Sequence, residues 1–175
     1  MARFSIVPER SQVWIDARSN VHPIHSATTG LEGYVDLALE PGGTLDLSTP
    51  PTGKLSLSVD KLKGGNRMED REMQKRIDAQ RYPRIEGELD QVTRNGSDDS
   101  YRVSGNVTFR GVKRHHEDLL SIDALDDQTI RLTGSSRFDI REFGMQAPKV
   151  FMLKVEPEVD VRVDIVAVRD EDQAD

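Results

Sequence analysis

At 175 residues with a net charge of −7, 35% hydrophobic and 31% charged, the chain has the length of one domain and must build its core sparingly. The acidic balance and the lack of a basic stripe argue against nucleic acid and anionic membrane surfaces, and the absence of cysteine excludes disulfides and thiolate zinc sites. Residues 1–8 lack the apolar run of a signal peptide, and no segment approaches the roughly eighteen apolar residues of a membrane span. A soluble, cytoplasmic protein without membrane insertion is expected.

In chain order, Val13, Ile15 and Ala17 alternate with Gln12, Trp14 and Asp16, which predicts a half-buried strand over 11–18 with Trp14 facing out. Residues 20–30 hold Pro23 and two histidines and read as an irregular connection. A long strand over 31–39 follows, with Leu31, Gly33, Val35, Leu37 and Leu39 on one face, and Pro41-Gly42-Gly43 ends it. Leu55, Leu57 and Val59 mark the next strand.

A single helix is predicted over about 66–80. Asn66 is its N-cap, Glu69 completes a capping box, Glu72 and Arg76 pair at helical spacing, and Tyr82-Pro83 stops it. Its apolar stripe, Met68, Met73 and Ile77, is thin, as suits a helix laid across an opening. Strands are predicted at 84–93, 99–110, 113–122, 129–140 and 157–168, with a turn at Asn95-Gly96. The domain is expected to span 1–168, and 169–175 to be a disordered acidic tail. All-β with one helix, the chain reads as an up-and-down barrel or a sandwich.

One pattern recurs: apolar, polar, glycine, polar, then usually apolar. It occurs at Leu31-Glu32-Gly33-Tyr34-Val35, Ile85-Glu86-Gly87-Glu88-Leu89 and Val103-Ser104-Gly105-Asn106-Val107, and more loosely at Leu132-Thr133-Gly134-Ser135-Ser136. Period-two alternation puts each glycine on the apolar face. Such glycines either bend strands into a barrel or clear interior space, and both readings stay open.

Catalytic signals are weak. His22 and His25 have H-x-x-H spacing but lie in a loop without a third ligand, and the adjacent His115 and His116 face opposite ways in a strand and read as structural. No serine sits on a nucleophile elbow, Ser104 and Ser135 take the outward register, and the carboxylates alternate outward. Asp70 and Arg71 could be polar groups at a pocket mouth. No phosphate loop or dinucleotide fingerprint is present. No enzyme activity, metal or cofactor is expected.

What remains is a container for a long apolar ligand, lined by Leu31, Val35, Leu57, Leu89, Val107, Phe109, Phe138 and Val161, with Met73, Ile77, Phe143 and Met145 near its mouth. The alternative is an interaction or stress-response module with a solidly packed barrel.

Several segments together resemble the YceI-like family of polyisoprenoid-binding proteins. The strongest is Val103-x-Gly105-x-Val107-Thr108-Phe109-Arg110-Gly111-Val112-Lys113. Asp70-Arg71 with Tyr82-Pro83, Phe138-x-Ile140-x-x-Phe143-Gly144-Met145, the valine-rich 155–163, and His25 with Gly30-x-x-Gly33 are similar to further family elements, in the family's order. Arg18-Ser19 replaces the usual His-Ser, and Ile77-Asp78-Ala79 replaces an aromatic pair. The resemblance implies an antiparallel, eight-stranded lipocalin-like barrel with a helix near its open end. It also implies a barrel, often a homodimer in the family, that encloses an isoprenoid, fatty acid or fatty amide.

Overall fold

The computed structural model of the protein describes residues 1–96, 99–147, 149–150 and 152–171. Its strands are β1 (Ala2–Ile6), β2 (Gln12–Ser19), β3 (Ile24–Thr28), β4 (Glu32–Leu39), β5 (Leu45–Asp46), β6 (Thr52–Ser58), β7 (Arg84–Arg94), β8 (Ser100–Phe109), β9 (Val112–Ala124), β10 (Thr129–Asp139), β11 (Lys149–Val150) and β12 (Leu153–Arg169). One helix, α1 (Arg67–Ile77), lies between β6 and β7.

The sheet closes on itself in the order β1-β4-β6-β7-β8-β9-β10-β12, with β12 pairing back onto β1. Every pairing is antiparallel. β2 continues the stave begun by β1 along β12, and β3 and β4 form the next stave, so the barrel has eight staves in up-and-down order. Pairing of β12 with β1 joins the two ends of the sheet.

Local sequence explains the breaks in the staves. Pro8 opens a short 3-10 turn, Pro8–Arg10, that splits the first stave. Ser11 there is fully buried; its hydroxyl donates to the Val7 carbonyl at 2.8 Å and accepts from the Val166 amide at 3.1 Å, standing in for the lost ladder bonds. Pro157 falls in the irregularity between Val155 and Val159, where a missing N–H is tolerated.

Several expectations are corrected. Residues 24–28 form β3 rather than irregular chain, pairing with β2, and residues 2–6 add a strand that was not expected. The second stave's successor ends at Ser58, and Val59 begins a 3-10 turn. Asn66 caps α1 by accepting from the Met68 and Glu69 amides, whereas the Glu69 carboxylate lies 3.4 Å from His22 Nε2. The helix ends at Asp78, in left-handed geometry with φ of 60°, before Pro83 is reached. Arg169 belongs to β12 and the Asp170 amide donates to the Arg3 carbonyl at 2.8 Å; the tail expected to be disordered continues through 172–175, outside the described residues.

Core packing plugs the barrel at both ends. Phe4, Leu37, Leu45, Tyr101, Ile130 and Ala167 fill one end, and the buried Tyr101 hydroxyl accepts from the Leu45 amide at 3.0 Å. Val59, Ile77 and Met145 fill the other, under α1. Among the described residues no helix is long and apolar enough to cross a membrane.

Candidate binding site inside the barrel

Between the two plugs lie two chambers of about 300 and 330 Å³. Leu55, Gly87, Val107, Phe138, Val161 and Val163 line both, forming a shared waist. Each chamber is at the lower end of the roughly 300–1,000 Å³ of small-molecule sites. The far chamber reaches Ile6, Leu37, Leu45 and Ile122, and the helix-side chamber reaches Leu31, Ile85, Leu153 and Val155.

The twelve apolar residues expected to line the container all lie on these walls. Val35 and Leu89 line the far chamber; Leu31, Leu57 and Phe109 line the helix-side one; Val107, Phe138 and Val161 belong to the waist. Met73 and Ile77 of α1, with Phe143 and Met145 of the segment after β10, cover the helix-side chamber, and Ile77, Phe143 and Met145 are buried. The Phe109 and Phe143 rings meet edge to face at 5.7 Å.

Arg110 and Gly111 make the two-residue turn between β8 and β9, with φ of 52° and 73°. Both values are positive, as tight hairpins require. From this turn Arg110 donates to the carbonyls of Ile77 at 3.4 Å and Phe143 at 3.3 Å, tying both roofing segments to the barrel. Asp70 also lines the helix-side chamber and accepts from the Gly64 amide at 2.7 Å; Arg71, expected beside it, is not on the wall.

The glycine units divide by role. A Cβ on Gly33 would collide with the Lys54 carbonyl oxygen, and one on Gly105 with that of Glu88, so these two glycines permit close approach of neighbouring strands. Gly105 also faces Leu89, where β7 carries a bulge before Gln91, so the wall bends there. Gly87 differs: its nearest neighbour would be Leu55 Cβ at 3.7 Å, and it leaves room at the waist.

Polar groups also face inward, contrary to the expectation that carboxylates alternate outward and that His116 is merely structural. His116 and Asp118 share the register of Leu120 and Ile122 on β9, Ser136 shares that of Leu132 and Phe138 on β10, and all three line the far chamber. Ser136 Oγ donates to Asp118 Oδ2, and His116 Nε2 lies 2.5 Å from both oxygens. An acyl-transfer triad needs serine and carboxylate on opposite ring nitrogens. Here both meet Nε2, so the arrangement differs from that of a triad.

His22 and His25 turn to different carboxylates. His25 Nδ1 lies 2.6 Å from Asp16 Oδ1, His22 faces Glu69, and both rings are exposed. Among the described residues no group of three or more His, Cys, Asp or Glu is placed to hold a metal ion.

Comparison with known proteins agrees with this architecture. BcnA of Burkholderia cenocepacia has the same fold, with a TM-score of 0.76 at 16% identity over 93% of this chain and 99% of that one. A polyisoprenoid binding domain from Saccharophagus degradans matches with a TM-score of 0.74 at 12% identity, over 97% and 100% of the two chains. The YceI protein of Campylobacter jejuni matches with a TM-score of 0.64 at 12% identity, over 88% and 85%. No curated protein matches the sequence. The profile of the YceI-like domain matches residues 4–167, nearly the whole barrel, and the chain therefore belongs to the YceI-like family.

Proposed function

We propose that the protein is a non-enzymatic carrier or sequestering protein that holds one long apolar chain, a polyisoprenoid, fatty acid or fatty amide, inside the barrel. The observation that carries this reading is the pair of adjacent apolar chambers that share six lining residues at the waist. A solidly packed barrel, the competing reading, has no use for that space. Each buried methylene contributes about 0.8 kcal/mol, so around a dozen carbons supply roughly 10 kcal/mol before association and ordering costs. Burial along the two chambers is thus enough to hold a chain with few polar contacts. The family's polyisoprenoid-binding member from Saccharophagus degradans is consistent with such a guest.

Native mass spectrometry and organic extraction of the purified protein test the proposal. One lipid per barrel, co-purified or taken up on loading with farnesol or palmitate, is expected. Protein that emerges lipid-free and takes up neither would overturn it.

A further inference from the structure

We infer that His116, Asp118 and Ser136 form a head-group site for an amphiphile that ends in an uncharged O–H or N–H donor, such as an alcohol or a primary amide. The inference rests on the container reading and adds to it the polar end of the guest.

Its position is set by an interruption in the wall. The β9–β10 ladder runs from Ile130–Ala124 to Gly134–Leu120 and stops. Beyond that point β9 stays paired with β8 and β10 with β12, so the two strands face each other across a seam without ladder bonds. Backbone groups along such a seam need other partners. Among the described residues, the side-chain bonds of Ser136, His116 and Asp118 cross it.

The surroundings hold the histidine in place. Gly105 stands opposite His116 on β8, and the His116 ring stacks on Phe138 at 4.2 Å between centroids. Phe138 is a waist residue, so the cluster lies in the far chamber next to the waist. The His116 and Asp118 side chains remain 28% and 37% exposed, so the cluster is reachable rather than sealed in the core.

Its chemistry selects the head group. Asp118 is an acceptor when ionised, and both bonds to it end on Oδ2. Among the described residues no donor reaches Oδ1. Nε2 is turned to the Ser136 and Asp118 oxygens, so Nδ1 is the ring nitrogen left to a guest, and it is an acceptor in the tautomer that carries its proton on Nε2. Two acceptors beside one negative charge favour a guest that donates and disfavour a carboxylate or phosphate, which would meet Asp118 as a like charge. A hydrogen bond to a charged group is among the stronger ones, so the preference is expected to reach about tenfold.

The test is displacement of a pyrenyl alkane from the purified protein at neutral pH by 1-hexadecanol, hexadecanamide, hexadecanoate and hexadecane. For the wild type, the alcohol and amide are expected to bind at least about tenfold more tightly than hexadecanoate and hexadecane. In Asp118→Asn the penalty on hexadecanoate should shrink to about threefold or less, with hexadecane unchanged. Equal binding of acid and alcohol by the wild type, or an unchanged ratio in folded Asp118→Asn, overturns the head-group assignment alone. If that variant does not fold, the wild-type series decides. Failure of every chain to bind overturns the container reading and this inference with it.

Discussion

Gly105 on β8 lies so close beneath the carbonyl oxygen of Glu88 on β7 that a Cβ there would overlap it. The contact is to backbone, which cannot swing aside, and it sits beside the bulge that bends β7. Gly87, on the strand next door, meets only the Leu55 side chain at 3.7 Å. Gly105→Ala should therefore lower stability by about 2 kcal/mol or more, while Gly87→Ala stays within about 1 kcal/mol. Denaturant unfolding measures both. Gly87→Val should fold and take up less lipid, because its branches enter the waist; a Gly87→Val that loads normally would show the waist is not part of the path.

The staves were legible wherever apolar residues alternate strictly. Val159, Val161, Val163 and Ile165 mark the last stave plainly, although it begins at Leu153, before Pro157, and runs one residue further than expected, to Arg169. β3 was hidden because its inward positions are Ile24, Ser26 and Thr28, and two of the three are polar, so the hydrophobic period disappears. The His116, Asp118 and Ser136 cluster was missed for the same reason, polar side chains being assigned outward by default. Counting in twos from Ile122 back to His116, and from Leu132 to Ser136, would have placed all three inside. That the ladder fails between those strands was not readable, since the hydrophobic pattern does not record where pairing ends.

Arg110 joins the turn between β8 and β9 to the carbonyls of Ile77 and Phe143, and its charge lies at the C-terminal end of α1, where a cation is favoured. Arg110→Ala should cost about 1 kcal/mol and speed the uptake of a fluorescent fatty acid by loosening both roofing segments. Arg110→Gly should speed uptake equally but cost less stability, because glycine accepts the φ of 52° without strain. Stopped-flow uptake beside equilibrium unfolding separates the two effects. Unchanged uptake in both variants would show that the guest does not pass under this roof.

Tyr101 is wholly buried at the end opposite the helix, and its hydroxyl oxygen accepts from the Leu45 amide at 3.0 Å. Tyr101→Phe keeps the ring and deletes the acceptor, leaving a buried N–H without that partner. The expected loss is about 1–3 kcal/mol, the cost of stranding a buried polar group. Helix-side ligand uptake should not change, since Tyr101 lines neither chamber. A denaturation midpoint equal to wild type would mean that water replaces the hydroxyl.

On the outer face, Arg131 grips Asp164 through Nε at 2.9 Å and Nη2 at 2.6 Å, and Arg3 grips Asp36 through two bonds of 2.8 Å. The hydrogen bond from its arginine holds each carboxyl below the usual range of an aspartate. A carboxyl with a lowered pKa in the folded chain adds stability that is complete above its unfolded value, about 3.9, and is lost as pH falls through the folded value. Thermal stability should therefore be nearly flat from neutral pH to about 5 as far as these pairs are concerned, and decline below about 4. Asp36→Asn with Asp164→Asn should begin from a lower plateau and decline less steeply, because fewer native-state carboxylates remain to be protonated. Melting temperatures recorded from pH 7 down to about 2.5 test this, and an acid limb of unchanged steepness in the double variant would move the source of acid sensitivity to other carboxylates, such as Asp139 beside Arg141, whose hydrogen bonds lower it in the same sense.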